Sequence, residues 1–287
     1  MPMRGTAYET FSRAKSNIAY SLCVGFTLLI LTVLGLVIGY LVYLGASALS
    51  WEFFTEIPSG NPEHPGGMKN ALVGTAILVG FASILGVPIG MLTGIFLSEY
   101  DTKSRIATPV RFVCDVLAGV PSIVVGILGY ELLVVPLGGF NGWAGSLALA
   151  FIMIPIIART TEEMLRLVPN SYREASLAMG ATKGKTIFSV VVPAALGSTI
   201  TGVMLAVARV AGETAPLLFT ALGSRYLTLD PSQPFPSLTV QIFSYASGPY
   251  EKQRNQAWAG ILVLISLIFV LNLAVRLVSR KMQTKNE

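Results

Sequence analysis

Six long apolar stretches divide this chain, and they constrain its fold more than any other feature. They cover about residues 18–47, 70–97, 112–136, 143–159, 196–221 and 257–275. Each is close to, or longer than, the roughly 20 apolar residues that a helix needs to cross a bilayer. Only 12% of the residues are charged, against about 25% in soluble domains. The sequence therefore predicts an all-α integral membrane protein with six transmembrane helices.

Lysine and arginine are distributed unevenly between the two sides that six spans define. Of the 20 such residues, 15 fall on the side of both termini and 4 on the other side, and only Arg209 lies within a span. Cytoplasmic loops of membrane proteins are enriched in these residues, so both termini are predicted to be cytoplasmic. The net charge of +5 follows from this asymmetry and from contact with lipid headgroups, and it requires no nucleic-acid partner.

The same pattern predicts the domain organisation. Residues 1–17 form a cytoplasmic N-terminal tail, residues 18–280 a single transmembrane domain, and residues 281–287 a C-terminal tail. Within the domain, residues 160–193 form a polar cytoplasmic segment. Residues 223–256 form an outer loop whose mixed polarity suggests a short helix lying in the membrane interface.

Arg209 and Glu213 place two charges within the fifth apolar stretch. An arginine at the centre of a membrane helix costs about 2.5 to 3.5 kcal/mol on insertion scales, so another group must compensate its charge. Glu213 follows four residues later, at the spacing of an ion pair on one helix face. Two interpretations stay open. The pair neutralises itself inside a helix bundle, or Arg209 is a fixed cation for an oxyanion such as hydrogen phosphate.

Small and polar residues form a stripe on each of two apolar stretches. At 100° per residue, the stripe on the fifth stretch spans about 80° and contains Gly202, Ala206, Arg209, Glu213, Pro216 and Thr220. A stripe of similar width on the third stretch contains Asp115, Gly119, Ser122, Gly126 and Gly129. The stripes are predicted to line one aqueous path, with Arg209, Glu213, Ser122, Asp115 and Thr220 as candidate pathway residues. Close helix packing is the alternative explanation for the glycines.

The polar segment between the fourth and fifth stretches has helical features of its own. Arg159 with Glu163, and Glu162 with Arg166, have the spacing of ion pairs that extend the fourth helix beyond the membrane. After the turn at residues 169–171, a short helix is predicted that stops at Gly180. These features describe either a surface helix or a helix that inserts into a groove of a partner.

Within that segment, Glu174-Ala175-Ser176, then Gly180, Val190 and Val192-Pro193 resemble the EAA loop of ABC importer permeases. The pattern of that loop is Glu-Ala-Ala, Gly and Ile-x-Leu-Pro at these spacings, and this chain departs from it conservatively at Ser176, Val190 and Val192. The resemblance implies the MetI-like bundle of ABC importer type I permeases. It also implies that the helix docks on a cytoplasmic ATPase through Glu174, Ala175, Ser176, Ala178 and Gly180.

Residues 209–220 and 118–126 further resemble signatures of phosphate-specific ABC permeases, and the chain is similar to the PstA-type subunits over roughly residues 18–280. This resemblance implies a multi-pass subunit in the bacterial plasma (inner) membrane that forms half of the pore of a phosphate importer. It implies four kinds of partner: a second permease subunit of PstC type, a cytoplasmic ATPase dimer of PstB type, an extracytoplasmic phosphate-binding protein of PstS type, and membrane lipids.

Enzymatic activity is not expected of this chain. Residues 180–186 resemble a phosphate-binding P-loop but have three residues between the glycines instead of four, and no predicted strand precedes them. ATP and Mg²⁺ are therefore expected on the partner ATPase, and this chain is expected to bind no cofactor. With one histidine and two cysteines that are distant in sequence, Cys23 and Cys114, no metal site or disulfide is expected either.

Two alternative functions stay open. The first keeps the architecture and changes the cargo to another oxyanion, such as sulfate or molybdate. The second is a secondary anion carrier or channel that uses Asp115, Glu131 and Glu213 as proton-linked groups. That alternative gives no role to residues 174–193.

Overall fold

The computed structural model describes residues 6–100 and 105–283, so the predicted tails 1–17 and 281–287 lie partly outside it. Its helices are α1 (Thr6–Ser47), α2 (Trp51–Thr55), α3 (Lys69–Glu99), α4 (Ala107–Gly119), α5 (Ser122–Gly129), α6 (Gly142–Arg166), α7 (Asn170–Ala178), α8 (Lys183–Thr186), α9 (Val192–Ala211), α10 (Ala215–Thr220), α11 (Leu238–Ala246) and α12 (Glu251–Gln283). A π-helical turn, Tyr130–Val134, extends α5, and another, Ile187–Val191, joins α8 to α9. Two short antiparallel strands, β1 (Pro58–Asn61) and β2 (His64–Gly66), form a hairpin.

Five helical segments in the described part of the chain are long and apolar enough to cross a membrane, and the bent pair α4–α5 makes a sixth if it counts as one span. Each of these segments overlaps one of the six apolar stretches, although the bounds of the fifth differ. The prediction of an all-α membrane protein is therefore confirmed, and the hairpin is a small addition to it. The cytoplasmic position of the termini stays a prediction.

Helices α3 and α6 form the centre of the bundle. Gly86, Gly90 and Gly94 lie one turn apart on α3 and face α6. A β-carbon added at Gly90 would lie 2.8 Å from Cβ of Ile157, and one at Gly86 would lie 3.1 Å from Sδ of Met153. Without such side chains the two backbones approach closely, which is how helices gain packing energy where no water is displaced. The pair forms a closely packed frame for the remaining helices.

The third apolar stretch is broken rather than continuous. Val120 and Pro121 have extended backbone conformations, and the helices before and after them meet at 103°. Proline lacks the N–H that a helix interior requires, and it disfavours helical geometry in the residue before it. Asp115 and Ser122 therefore lie on different helices. The prediction of one helical stripe from Asp115 to Gly129 is wrong.

The fifth stretch begins earlier and ends earlier than predicted. One continuous helical segment runs from Lys183 to Ala211, and α10 begins only at Ala215. The N–H groups of Gly212 and Glu213 donate to Arg209 O and Val210 O, each at 3.1 Å, in tight turns that close the helix. The predicted helical stripe is therefore wrong beyond residue 211. Glu213 lies in the break and not on the face of a helix.

Short elements cover the end of the bundle where α3 begins, which the charge pattern predicts to be the outer side. The predicted short helix of the outer loop is α11, but it packs against α3 and α12 with Leu238, Ile242 and Tyr245 buried. Helix α1 packs mainly against α12, where Tyr40 meets the Trp258 ring edge-on with centroids 5.8 Å apart. Most of α1 is exposed apolar surface, as expected of a helix in lipid.

Candidate functional site

Arg209 and Glu213 lie close together at the end of α9. Nε of Arg209 is 4.0 Å from Oε1 of Glu213, and the two side chains are 61% and 16% exposed. An ion pair that is this long and this exposed contributes little stability. A pair that served only to neutralise itself would be short and buried. The geometry therefore favours the interpretation in which Arg209 is a cation available to another group.

The position of Glu213 is fixed through its backbone. Oγ1 of Thr239 donates to the Glu213 carbonyl at 2.9 Å, and the N–H of the preceding Leu238 donates to Oγ1 of Thr75 at 2.8 Å. Thr75 lies in the second turn of α3, so the pair is near the end of the bundle where α3 begins. Thr239 binds the main-chain carbonyl of Glu213 and not its side chain. The carboxylate can therefore interact with Arg209.

Asp115 belongs to a different cluster, at the opposite end of α3. Oδ1 of Asp115 lies 2.9 Å from Nε of Arg159. Nη1 of the same arginine lies 2.9 Å from Oε2 of Glu162. The Glu162 side chain is only 2% exposed and contacts Arg111 and Arg166 as well, at 2.8 and 2.9 Å. The cluster joins α4 to α6. The predicted Glu162–Arg166 pair is confirmed, whereas the predicted partner of Arg159, Glu163, is wrong: Arg159 pairs with Glu162 and Asp115.

Thr220 and Ser122 flank the contact between α5 and α10. Thr220 is fully buried, its hydroxyl donates to the Pro216 carbonyl at 2.7 Å, and its methyl group would be 2.9 Å from a β-carbon added at Gly129. Ser122 is half-buried at the start of α5. The pathway roles of Asp115 and Thr220 stay predictions. In this structure Asp115 makes an ion pair with Arg159, and Thr220 packs between α10 and α5.

Helix α7 is held to the bundle by two attachments. Arg173 reaches the carboxylate of Glu99 at 2.7 Å and also donates to the Val168 and Leu165 carbonyls. The hydroxyls of Ser176 and Thr186 lie 2.9 Å apart and link α7 to α8. These contacts connect the short helix to α3 and to the helical segment 183–211, whose last turn contains Arg209.

The rest of α7 projects from the bundle. None of its residues is buried, and Glu174, Ala175 and Ala178 are exposed. Gly180 ends the helix with φ +83°, a conformation that favours glycine, while the Ala181 N–H returns to the Ser176 carbonyl. An open groove of about 690 Å³ runs beside the helix and is lined partly by Tyr172, Ala175 and Met179. The helix therefore presents small and apolar surface at the end of the bundle where α3 ends.

Sequence reasoning missed two features of this arrangement. Glu99 and Arg173 are 74 residues apart, so no local spacing could pair them. The convergence of three arginines on Glu162 was missed because Arg111 approaches from another helix. The sequence offered one indication of these contacts, which is that the charged residues lie near the ends of apolar stretches.

The bundle and its projecting helix define a multi-pass membrane protein with an exposed short helix at one end. Residues 86–284 match the family described as binding-protein-dependent transport system inner membrane component. The chain therefore belongs to this family of transporter permeases. The predicted location in the bacterial inner membrane is confirmed by the same match.

Comparison with individual proteins shows which members of this family the chain resembles. The chain is 39% identical to the phosphate transport system permease protein PstA of Yersinia pestis, over 95% of this chain and 92% of the relative. It is 44% identical to the PstA protein of Haemophilus influenzae, over 83% of this chain and 84% of the relative. The predicted resemblance to PstA-type permeases is confirmed.

Solved structures show the same fold at low sequence identity. The inward-facing MetNI methionine ABC transporter aligns with a TM-score of 0.58 and 20% identity, over 74% of this chain and 92% of that chain. A bacterial alginate ABC transporter in complex with its alginate-bound periplasmic protein aligns with a TM-score of 0.67 and 12% identity, over 96% and 98%. These likenesses support the predicted MetI-like bundle of ABC importer permeases.

Proposed function

We propose that this chain is a membrane-spanning permease subunit of an ATP-driven importer of inorganic phosphate and forms half of its translocation pore. The observation that carries the proposal is the single helical segment 183–211, whose first residues are attached to the exposed helix α7 and whose last turn carries the exposed Arg209. A docking surface and a cation for an anionic cargo are thereby joined by one continuous helical segment. The chain itself is a non-catalytic subunit and binds no cofactor.

The proposed coupling starts at α7. A cytoplasmic ATPase dimer of PstB type binds this part of the chain through Glu174, Ala175, Ser176, Ala178 and Gly180, and it holds the ATP and Mg²⁺. Nucleotide binding moves α7, because the nucleotide has different affinities for the two conformations of the transporter. The Ser176–Thr186 contact passes the displacement to the segment 183–211. From Thr186 to Arg209 this segment is about 35 Å long, at 1.5 Å per residue.

The proposed pathway lies between this chain and a second permease subunit of PstC type. The Arg209 side chain is 61% exposed on the surface of this chain. Its guanidinium can therefore face a second permease subunit and an anion that is held between the two subunits. An extracytoplasmic phosphate-binding protein of PstS type delivers the anion. Arg209 then binds the oxygens of phosphate, and Glu213 accepts a hydrogen bond from its hydroxyl, which suits hydrogen phosphate.

The test is phosphate uptake by vesicles that contain the complete transporter with Arg209→Ala or Glu213→Gln. We expect Arg209→Ala to lower uptake by about 100-fold, because a charge-assisted contact contributes about 1.5–3 kcal/mol and no other group replaces it. Assembly and basal ATPase activity should persist. Arg254→Ala is the matched control, since Arg254 is an exposed arginine that donates to the Gly248 and Pro249 carbonyls. Normal uptake by both variants would remove Arg209 and Glu213 from the mechanism.

Competition between anions separates phosphate from other cargoes. Sulfate and molybdate have no hydroxyl that donates to Glu213 at neutral pH, so the proposal predicts that neither competes with phosphate uptake at tenfold excess. Efficient competition by either would assign the importer to that oxyanion. Uptake driven by an ion gradient, without any copurifying ATPase, would instead support a secondary carrier.

A further inference from the structure

A small cavity with several polar groups in its lining lies at the end of the bundle where α3 begins, on the side of α11 that faces away from Glu213. It has a volume of about 190 Å³ and is lined by Leu222–Arg225 and by Ser237, Val240, Gln241, Ser244 and Tyr245. A single water needs roughly 10–15 Å³ measured in this way, so there is room for a larger solute. The lining α11 residues follow the spacing of one helix face, whereas Thr239, which binds the Glu213 carbonyl, points elsewhere.

The polar groups around the cavity are rich in donors. The cavity lining contains one guanidinium, three serine hydroxyls, one amide and one phenol, and no described lining residue is a carboxylate. Burial raises the pKa of the Tyr245 phenol, while Gln241 and Arg225 act in the opposite direction. The phenol is therefore neutral at physiological pH and can donate. A donor set with a net positive charge suits an oxyanion and not a cation.

One lining residue is buried without a partner. Ser237 is only 1% exposed, and its Oγ has no hydrogen-bond partner among the described residues. Leaving a buried hydroxyl unpaired costs about 1–3 kcal/mol, so such a group in a cavity indicates a bound solute or water. The backbone around it is well fixed: the Leu238 N–H donates to Thr75, and Nδ2 of Asn70 donates to the Ser224 carbonyl at 2.7 Å. The hydroxyl is therefore held in place, ready for a ligand.

We propose that this cavity is a binding site for a phosphate-type oxyanion, held by Arg225 at the rim and by the Ser237 hydroxyl at the base. It is separate from the Arg209–Glu213 pair, because α11 lies between them. The site does not depend on the proposed function, since it requires neither transport nor ATP. Two sources offer this chemistry at the outer end of a membrane protein, namely inorganic phosphate in solution and the phosphate group of a lipid headgroup.

The experiment measures occupancy inside the cavity. Ser244 lines the cavity and is exposed, so Ser244→Cys can be labelled with a maleimide in a transporter whose Cys23 and Cys114 are replaced by alanine. We expect inorganic phosphate to slow the labelling at least fivefold at saturation in detergent, whereas chloride at equal ionic strength leaves it unchanged. Arg225→Gln should raise the half-protecting phosphate concentration about tenfold or more, and Ser237→Ala should raise it several-fold.

Two matched variants make the test specific. Arg254→Gln removes a nearby exposed arginine that does not line the cavity, and Arg209→Gln removes the pathway arginine; both should leave the protection unchanged. Because Arg209→Gln strongly lowers uptake under the proposed function, a failure of that function and a failure of this site give different results. If Arg209→Gln rather than Arg225→Gln removed the protection, the cavity would not be the site.

The source of the ligand is decided in a second arm. In nanodiscs that contain phosphatidylglycerol and no free phosphate, protection that is lost with Arg225→Gln would assign the site to a lipid headgroup. Protection by inorganic phosphate in detergent would assign it to the solution anion. Both results support an oxyanion site. An unchanged labelling rate in both arms, with Ser244→Cys reacting normally, would overturn the proposal.

Discussion

The guanidinium of Arg173 lies 2.7 Å from the carboxylate of Glu99, so the exposed helix α7 is tied directly to the end of the central helix α3. The two side chains are 18% and 6% exposed. The same guanidinium also binds two backbone carbonyls, those of Val168 and Leu165, where α6 ends. A displacement of α7 therefore acts on α3 and on the end of α6 as well as on α8.

Neutralising Glu99 tests this attachment. Glu99→Gln leaves the Arg173 charge uncompensated, and removing one partner of a largely buried pair costs about 3 kcal/mol. We expect amide hydrogen exchange in α7 to accelerate roughly 100-fold, and phosphate uptake per ATP hydrolysed to fall. Glu163→Gln, at an exposed carboxylate of α6, should leave both unchanged. Unaltered exchange in Glu99→Gln would show that α7 is held by other contacts.

The exposed side of α7 is expected to form the ATPase contact. Ala178→Arg places a long charged side chain where the proposal requires close approach, while the helix itself tolerates arginine well. The ATPase should therefore no longer copurify, and the permease should keep its thermal stability within about 0.5 kcal/mol, as for exposed substitutions generally. Ser171→Arg, on an exposed position in the first turn of the same helix, is the control. Copurification of the ATPase with Ala178→Arg would exclude this docking surface.

The Glu162 cluster predicts two very different effects from similar substitutions. Glu162→Gln removes a buried charge that contacts three arginines, so a loss of about 3–5 kcal/mol in the free energy of unfolding is expected. Asp115→Asn removes a carboxylate that is 49% exposed and pairs with Arg159, so we expect a loss of only about 0–1 kcal/mol. Chemical unfolding of the two variants in detergent provides the comparison. Equal losses would contradict a cluster centred on Glu162.

Two glycines of α3 give a matched test of close packing. A β-carbon at Gly74 would collide with the Pro236 carbonyl, whereas one at Gly80 would meet no atom within 4 Å. Gly74→Ala should therefore lower the thermal unfolding temperature and displace the segment before α11. Gly80→Ala should keep or raise that temperature, because alanine favours helix by up to about 1 kcal/mol over glycine. The reverse order of the two unfolding temperatures would refute the contact between α3 and Pro236.

Apolar length predicted the spanning segments because hydropathy and span length are properties of local sequence. It could not predict where the backbone breaks. Pro121 interrupts the third stretch and residues 212–214 interrupt the fifth, yet both breaks lie within stretches whose apolar character continues. Hydropathy does not register the backbone hydrogen bonds that a helix loses. Wheels drawn through these breaks therefore treated Asp115 and Ser122, and likewise Arg209 and Thr220, as residues of one helix.

The charged contacts also divide into those that local sequence predicts and those that it does not. Glu162–Arg166 was predictable from its spacing of four residues on one helix. Arg111–Glu162 and Arg173–Glu99 join residues 51 and 74 positions apart, and only the packing of α4, α6 and α7 around the end of α3 brings them together. Local spacing identifies pairs within an element. It carries no information about which elements become neighbours.

The π-helical turn at Ile187–Val191 has a consequence for how insertions and deletions act on this chain. It inserts extra backbone between Thr186 and Arg209 immediately before Pro193, whose ring needs additional room beside the preceding turn. Deleting one residue within this turn would let it close to ordinary α-helical hydrogen bonding and would largely keep the direction in which Arg209 points. The same deletion in the regular helix that follows would turn Arg209 by about 100° about the helix axis relative to the α7 attachment, even with every side chain of the pathway kept.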